Sequence, residues 1–96
     1  MKVNLAVYLK DLAGNDVLDH KGEKIMLSKF LANGIIGEEA KDKPMERFEL
    51  ADKLYNADGE IDIKESEKEV IKKFCESGKV TVLVAEQILI IVNNAK

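Results

Sequence analysis

The chain has 96 residues, of which 46% are hydrophobic and 34% are charged, a composition typical of a globular domain rather than a disordered chain. Its 15 basic and 18 acidic residues give a formal charge of -3, and the basic residues are scattered among the acidic ones. This pattern argues against a nucleic-acid partner, whose binding requires a basic stripe. The length predicts a single domain over residues 1–96.

The cysteine content and the apolar runs bear on the compartment. The single cysteine, Cys75, allows no intramolecular disulfide, and the N-terminal residues lack the succession of basic, apolar and small residues that marks a secretory signal. The most apolar run, residues 80–92, is short and is interrupted by Glu86 and Gln87, so it is not expected to cross a bilayer. We therefore expect a cytoplasmic protein with no membrane partner.

The first third of the chain carries the patterns of short strands. Apolar and other residues alternate over residues 3–9, which is the two-residue period of a strand with one face on the core. Turn-forming residues follow at 12–16 and 21–23, and a short apolar segment lies between them. Residues 24–27 are a further candidate strand. Residues 1–27 are accordingly predicted to form an antiparallel β-ribbon, either a hairpin or a meander.

The helical part is predicted to begin directly after this ribbon. Apolar residues spaced by four and five positions predict a short helix over residues 28–36, capped by the Ser28 hydroxyl. Gly34 weakens this helix by about 1 kcal/mol relative to alanine. Residues 37–43 are polar and charged and are typical of a linker or loop.

A second helix is predicted from Pro44 to the turn at residues 55–63. Pro44 suits its first position, where the missing amide hydrogen costs nothing, and Glu49 and Lys53 are spaced to form an exposed ion pair. The helix carries a broad apolar stripe made of Met45, Phe48, Leu50, Ala51, Leu54 and Tyr55. This stripe predicts a face packed on a largely aliphatic core. The larger members of that core are expected to be Tyr8, Phe30, Phe48, Tyr55 and Phe74.

Two helices converge on the turn at residues 55–63. Gly59 can adopt the left-handed conformation without a steric penalty, so the second helix is expected to stop before it. Asp62 is predicted to cap a third helix over residues 63–77, with the Glu65 side chain reaching back to the Asp62 amide.

The C-terminal part predicts one more helix. Gly78 stands where a left-handed stop of the third helix is expected, and Thr81 is placed to cap a fourth helix. Residues 80–84 taken alone also fit a strand, but the length of the apolar pattern favours the helix. The predicted fold class is α+β, with an N-terminal antiparallel hairpin or meander packed on a bundle of about four helices that occupies residues 28–96.

A stretch of acidic residues partly matches a calcium-binding loop. Placing Gly59 at the sixth position of such a loop aligns residues 54–65 with it. The candidate metal ligands in this segment are Asn56, Asp58, Glu60, Asp62 and Glu65. Leu54, however, occupies the first position, where the loop requires an aspartate ligand. A capped helix–turn–helix without metal explains the same residues and is the interpretation we favour.

No pattern in the sequence predicts a catalytic residue or a bound organic cofactor. His20 is the only histidine and is expected in an exposed turn, while Cys75 falls on the apolar face of the third helix, as a buried thiol would. The chain has neither a nucleophile elbow nor a glycine-rich phosphate loop. Its abundant carboxylates are typical of a solvated helix surface, so we expect a protein that is not an enzyme.

One segment resembles a known family. Residues 50–61 read Leu-Ala-Asp-Lys-Leu-Tyr-Asn-Ala-Asp-Gly-Glu-Ile and are followed by Glu65, Glu67 and Glu69. This segment resembles the acidic helix–turn–helix of the tellurite-resistance TerB-like domains. The resemblance is local, because this chain is shorter and opens with strands, and the metal association of that family is not carried over.

The order of motifs along the whole chain is similar to that of small uncharacterised proteins encoded in tailed-phage and prophage genomes. The motifs are a Leu-x-Gly-Asn turn, a Leu-Ser-Lys-Phe-Leu-Ala-Asn helix, the Ala-Asp-Gly-Glu-Ile turn and a terminal Val-Ala-Glu-Gln-Ile-Leu helix. The resemblance implies a small accessory protein of the bacterial cytoplasm that works in particle assembly or binds a host protein.

The expected function is therefore that of a non-enzymatic protein-binding module. The alternative is a calcium- or metal-responsive helix–turn–helix module centred on residues 56–65. The edge of the N-terminal ribbon could also pair with its copy in a second chain and give a symmetric homodimer.

Overall fold

The structure is a computed structural model, and it describes residues 1–38 and 44–95. This part of the chain forms four α-helices and one two-stranded antiparallel sheet, so the α+β expectation holds at this level, with helix in large excess. In chain order the elements are β1 (Lys2–Val3), α1 (Leu27–Ile36), α2 (Pro44–Tyr55), β2 (Ile61–Asp62), α3 (Glu65–Cys75) and α4 (Val82–Asn93).

The sheet joins the start of the chain to the segment before α3. In β1, Lys2 lies opposite Asp62 and Val3 lies opposite Ile61 of β2. The continuous strand predicted over residues 3–9 is therefore wrong, because regular pairing ends at Val3. The rest of the predicted ribbon is held by isolated antiparallel bridges, which are Tyr8 with Met26, Lys10 with Asp16 and Leu18 with Lys24.

The segment between β1 and α1 is built on an eight-residue repeat. Leu9, Val17 and Ile25 occupy equivalent positions, and their backbones form a closed ring of hydrogen bonds. The Val17 amide donates to the Leu9 carbonyl (3.0 Å), the Ile25 amide to the Val17 carbonyl (3.4 Å) and the Leu9 amide to the Ile25 carbonyl (2.7 Å). Three short extended segments thus satisfy one another's backbone groups without forming a regular sheet.

The two connections within this repeat are the same turn made twice. The Asp11 and Asp19 carboxylates each accept hydrogen bonds from the amides two and four residues further along, at 2.8 to 3.0 Å. Gly14 and Gly22 stand three residues after these aspartates, with φ of 86° and 82°. Because only glycine adopts this conformation without strain, each turn needs both its aspartate and its glycine.

The start of α1 differs from the prediction. The helix begins at Leu27 with Met26 at its N-cap, and no side chain caps it. The predicted Ser28 cap is wrong, since the Ser28 hydroxyl is buried without a hydrogen-bond partner within the described chain. The amides of Leu27 and Ser28 donate instead to the carbonyls of Val7 and Leu5, both at 2.8 Å. The backbone of the N-terminal segment replaces a side-chain cap.

Pro44 is the first residue of α2, as predicted, and the helix ends at Tyr55. Residues 39–43 of the predicted linker lie outside the described residues. Gly59 does not have a positive φ, so its predicted left-handed role is wrong. The end of α2 is capped by Asn56, whose side-chain amide donates to the Asp52 carbonyl at 2.9 Å, and the backbone therefore does not require glycine there.

Helix α3 begins later than predicted. It starts at Glu65, with Lys64 at the N-cap, and the Glu67 carboxylate accepts from the Lys64 amide at 2.8 Å. The predicted cap at Asp62 is wrong because Asp62 belongs to β2, where its backbone is extended. Gly78 has a φ of 81°, which confirms the left-handed stop after this helix.

The alternative of a strand near residue 80 is resolved in favour of a helix. Helix α4 runs from Val82, and the Thr81 hydroxyl accepts from the Val84 amide at 3.5 Å, as predicted for its cap. The side chain of Gln87 attaches α4 to the N-terminal segment. Its amide nitrogen donates to the Lys10 carbonyl (2.5 Å), and its oxygen accepts from the Lys10 amide (3.0 Å).

The core is aliphatic, and every helix and strand contributes side chains to it. Its fully buried large side chains are Leu5, Leu27, Leu31, Ile35, Leu50, Leu54, Ile71, Ile88 and Val92. Of the aromatic residues assigned to the core, Phe74 is buried and Phe30 is partly buried against it. The prediction is wrong for Tyr8, Phe48 and Tyr55, which are about half exposed. Two of these three exposed rings lie on α2.

Candidate functional site

The residues of the predicted calcium loop are not brought together. Asn56 is engaged by its own helix, since its side-chain amide also donates to the Asp52 carboxylate at 3.1 Å. The Asp62 carboxylate accepts from the N-terminal ammonium of Met1 at 3.0 Å. The other three candidates, Asp58, Glu60 and Glu65, are exposed.

The pKa shift in this turn is explained by the N-terminal ammonium. The hydrogen bond and charge of the N-terminal ammonium lower the pKa of Asp62. Leu54, at the first position of the loop, is wholly buried in the core. Within residues 1–38 and 44–95, no group of three or more His, Cys, Asp or Glu residues is placed to hold a metal ion. Calcium binding at residues 56–65 stays a prediction from the sequence.

The two side chains with reactive chemistry lie where the sequence placed them. His20 is exposed in the second turn of the repeat, and Cys75 is buried at the end of α3. Burial raises the pKa of the Cys75 thiol to about 11, with a further contribution from the charge of Glu76. A thiol in this state is a poor nucleophile at neutral pH.

Among the residues that the structure describes, the one buried carboxylate belongs to Glu67, whose residue is 3% exposed. The Lys53 ammonium lies 3.0 and 3.3 Å from its two oxygens and also donates to the Asp62 carbonyl at 2.9 Å. Lys53 therefore does not form the predicted surface pair with Glu49. Its charge is directed toward α3, and the network joins α2, β2 and α3. With its charge matched and its oxygens bonded, Glu67 has a structural role.

An exposed apolar groove lies between α1 and α2. We define the α1–α2 groove by its lining residues, which are Ala32, Asn33, Ile36, Phe48, Ala51, Asp52 and Tyr55. Its volume is about 140 Å³. Ala32 and Ala51 are buried and form its floor, while Ile36 and Phe48 stand at its walls. Small residues on the floor leave room for a side chain from outside to enter between the helices.

The walls of the groove carry large apolar side chains that are about half exposed. Ile36 is 54% exposed, Phe48 56% and Tyr55 49%. Met45, one helical turn before Phe48 on the same side of α2, is 71% exposed. Together these four side chains expose on the order of 400 Å², which is within the range of the largest apolar patch on a typical monomer.

Charges are distributed unevenly around the groove. The exposed residues of α2 are Pro44, Met45, Phe48, Glu49, Asp52 and Tyr55, so both exposed charges on this helix are negative. The basic residues of α2 are directed elsewhere. Arg47 contacts Glu38 at 3.2 Å, and Lys53 contacts Glu67 at 3.0 Å. The α2 wall of the groove is therefore apolar and acidic.

The α1 wall carries a different pattern. Its exposed residues are Lys29, Asn33 and Ile36, which recur at intervals of four and three and so form one stripe. The Lys29 ammonium lies 5.1 Å from the centre of the Tyr55 ring, a cation–π distance. This contact positions the Tyr55 ring at one end of the groove and places a positive charge there.

Sequence reasoning missed this groove because it assigned the whole apolar stripe of α2 to the core. Leu50, Ala51 and Leu54 are buried as predicted, but Met45, Phe48 and Tyr55 are exposed. A signal was present in the pattern. Six apolar positions in twelve residues of helix span more than the arc of about 100° that a helix packed on one side buries. The excess marks a second apolar face.

In comparisons with protein-family models, curated proteins and solved structures, nothing matches this chain. No helix within residues 1–38 and 44–95 is both long enough and apolar enough to span a membrane.

Proposed function

We propose that this chain is a protein-binding accessory module without catalytic activity of its own, and that the α1–α2 groove is its binding surface. The observation that carries the proposal is the joint exposure of Ile36, Met45, Phe48 and Tyr55 around a groove with a small-residue floor. Exposed apolar patches of this size are commonly sites of protein association, since leaving them in water is unfavourable.

The proposed setting follows from the resemblance to small proteins of tailed phages and prophages. It implies a bacterial cytoplasm, and either particle assembly or the binding of a host protein as the role. Neighbouring genes that encode head or tail components would favour assembly, whereas early lytic or regulatory genes would favour a host-directed binder.

The proposal is tested by affinity capture with matched variants. The tagged chain, a Phe48→Ser variant and an Ile90→Ser variant are each incubated with a bacterial lysate that contains the expressed neighbouring genes. Phe48 and Ile90 are 56% and 52% exposed, but Ile90 lies on α4, away from the groove. We expect a partner that is retained by the unmodified chain and by Ile90→Ser and is lost with Phe48→Ser.

One outcome of the affinity capture would contradict the proposal. If every retained protein is bound as well by Phe48→Ser as by the unmodified chain, the α1–α2 groove is not the binding surface. Circular dichroism melting of both variants confirms that they are folded. The homodimer predicted from the ribbon edge is a separate prediction, and sedimentation of the unmodified chain at high concentration tests it.

A further inference from the structure

The charges around the α1–α2 groove restrict the chemistry of its occupant. Asp52 lines the α2 wall of the groove, and Glu49 is exposed on α2 outside the lining residues. Within the described residues neither forms an ion pair, although Asp52 accepts a hydrogen bond from the Asn56 side chain at 3.1 Å. The nearest basic side chains of the same helix, Arg47 and Lys53, contact Glu38 and Glu67 instead. A basic residue of an occupant would therefore meet the Asp52 carboxylate at the wall and the Glu49 carboxylate beside it without displacing an existing ion pair.

The size of the patch restricts the occupant further. The four exposed apolar side chains supply roughly 400 Å², whereas each partner in a standard interface between folded proteins contributes about 800 Å² of polar and apolar surface together. A folded partner such as a second copy would have to bury much polar surface around the groove as well. A short segment that inserts one apolar side chain requires less.

The shape of the groove indicates how such a segment would lie. Helices α1 and α2 pack extensively against each other, and the groove runs along their seam. Its volume of about 140 Å³ accommodates one large apolar side chain. Met45, which is 71% exposed, extends the apolar surface beyond it. A helix laid along this seam presents its anchors at intervals of three or four residues.

We propose that the α1–α2 groove binds a short amphipathic helix of another protein, which inserts an apolar side chain between Ile36, Phe48 and Tyr55 and places lysine or arginine against Glu49 and Asp52. This inference rests on the proposed function and names its partner class. The cationic end of the groove, where Lys29 lies over Tyr55, sets the direction of the bound helix, because a basic residue is disfavoured there.

The test is selection from a displayed library of random peptides, each about 16 residues long, long enough for four helical turns. Peptides are selected on the full chain and removed if they also bind the Phe48→Ser variant. We expect the retained peptides to carry apolar residues at helical spacing and an excess of lysine and arginine on one flank. Affinity should fall as salt is added, since the charge contacts are near the surface.

Reversing the charges of Glu49 and Asp52 tests the charge contacts more directly than the peptide selection does. In a Glu49→Lys/Asp52→Lys variant, the selected basic peptides are expected to bind about tenfold more weakly, and peptides with glutamate in the basic positions are expected to bind better than their parents. The control is Glu69→Lys/Glu86→Lys, which changes the net charge equally at exposed positions of α3 and α4. This control should retain the original preference.

Several outcomes would overturn the inference. These are a library that yields no peptide dependent on Phe48, retained peptides without a basic excess, and a preference that the reversal does not change. Sedimentation that shows a dimer dissociated by Phe48→Ser would assign the groove to a second copy. If affinity capture nevertheless finds a partner lost with Phe48→Ser, the proposed function stands and only the partner class is wrong. If both experiments are negative, both proposals fall.

Discussion

The ring of Phe74 on α3 lies directly against the backbone of Gly34 in α1. A Cβ atom on Gly34 would overlap the Phe74 Cζ atom and lie 2.9 Å from Cε1. Phe74 is only 4% exposed, so the ring has little room to move away. The glycine that weakens α1 as an isolated helix is thus required for α1 and α3 to approach each other.

We expect Gly34→Ala to lower the free energy of unfolding by about 1–3 kcal/mol. Overpacking of the Phe74 ring costs more than the roughly 1 kcal/mol that alanine adds through helix propensity. Urea denaturation measures the change. Gly59→Ala is the matched control, because a Cβ there meets open space and φ is not positive. That variant should be neutral or slightly stabilising, and equal effects of the two changes would contradict the packing argument.

Lys53 matters to stability through the buried Glu67. We expect Lys53→Met to lower the free energy of unfolding by about 2 kcal/mol, because it leaves a desolvated carboxylate without its counter-charge. The loss is smaller than for a wholly buried pair since the Lys53 side chain is 34% exposed. Glu67→Gln, added to Lys53→Met, should restore part of the stability, because a neutral amide needs no counter-charge and can still accept from the Lys64 amide. A double variant less stable than Lys53→Met would show that the charge is not the cause.

The repeated turns predict equal effects at two distant positions. Asp11→Ala and Asp19→Ala each remove two hydrogen bonds from backbone amides, so each is expected to lower the melting temperature by a similar amount. The double variant should show the sum, as the two turns share no bonds. Lys21→Ala is the control, since the turn uses only its backbone amide. A large difference between the two aspartates, measured by thermal unfolding, would mean that the turns are not equivalent.

Stability should decline in acid because the pKa is lowered in three carboxylates, those of Asp16, Asp62 and Asp19, the last through hydrogen bonds from the Glu23 and Lys21 amides. Hydrogen bonds from Lys10 and Lys24 lower the pKa of Asp16, and the N-terminal ammonium lowers that of Asp62. A lowered folded-state pKa contributes stability that is fully present above the unfolded value of about 3.9 and is lost as pH falls through the folded-state value.

The measurement is the melting temperature between about pH 6 and pH 2, where these carboxylates titrate. The curve should be flat above about pH 5 and fall below about pH 4. Asp16→Asn and Asp62→Asn should lower the melting temperature at pH 6 and reduce its decline in acid. The same change at Asp58, an exposed residue after α2, is the control. An acid decline that is unchanged in both variants would assign it to other carboxylates.

Several local features could be predicted from the sequence because their causes are local. Pro44 begins α2, Gly78 adopts the left-handed conformation shortly after the end of α3, and Thr81 caps α4. Each depends on dihedral preferences or on hydrogen bonds within one helical turn. The eight-residue repeat is also visible in the sequence, as aspartates at 11 and 19 followed by glycines at 14 and 22.

The errors share a different cause, which is a partner far away in the chain. Ser28 was predicted to cap α1, but the carbonyls of Leu5 and Val7 already accept the amides at its start. Asp62 was predicted to cap α3, but it pairs with Lys2 in the sheet and its carboxylate binds the Met1 ammonium, so it belongs to β2. A single side-chain cap stabilises the chain less than backbone pairing does, because the pairing satisfies several amide and carbonyl groups at once.

The sequence by itself determined where the helices form, because helical hydrogen bonds and caps join residues a few positions apart. It also determined that α2 has more apolar residues than one buried face uses. The tertiary structure decided which of them are covered. Packing of α1 and α3 buries Leu50, Ala51 and Leu54, draws Lys53 toward Glu67, and leaves Phe48 and Tyr55 beside Glu49 and Asp52. Burial depends on neighbours distant in the chain, so only the folded chain defines the groove.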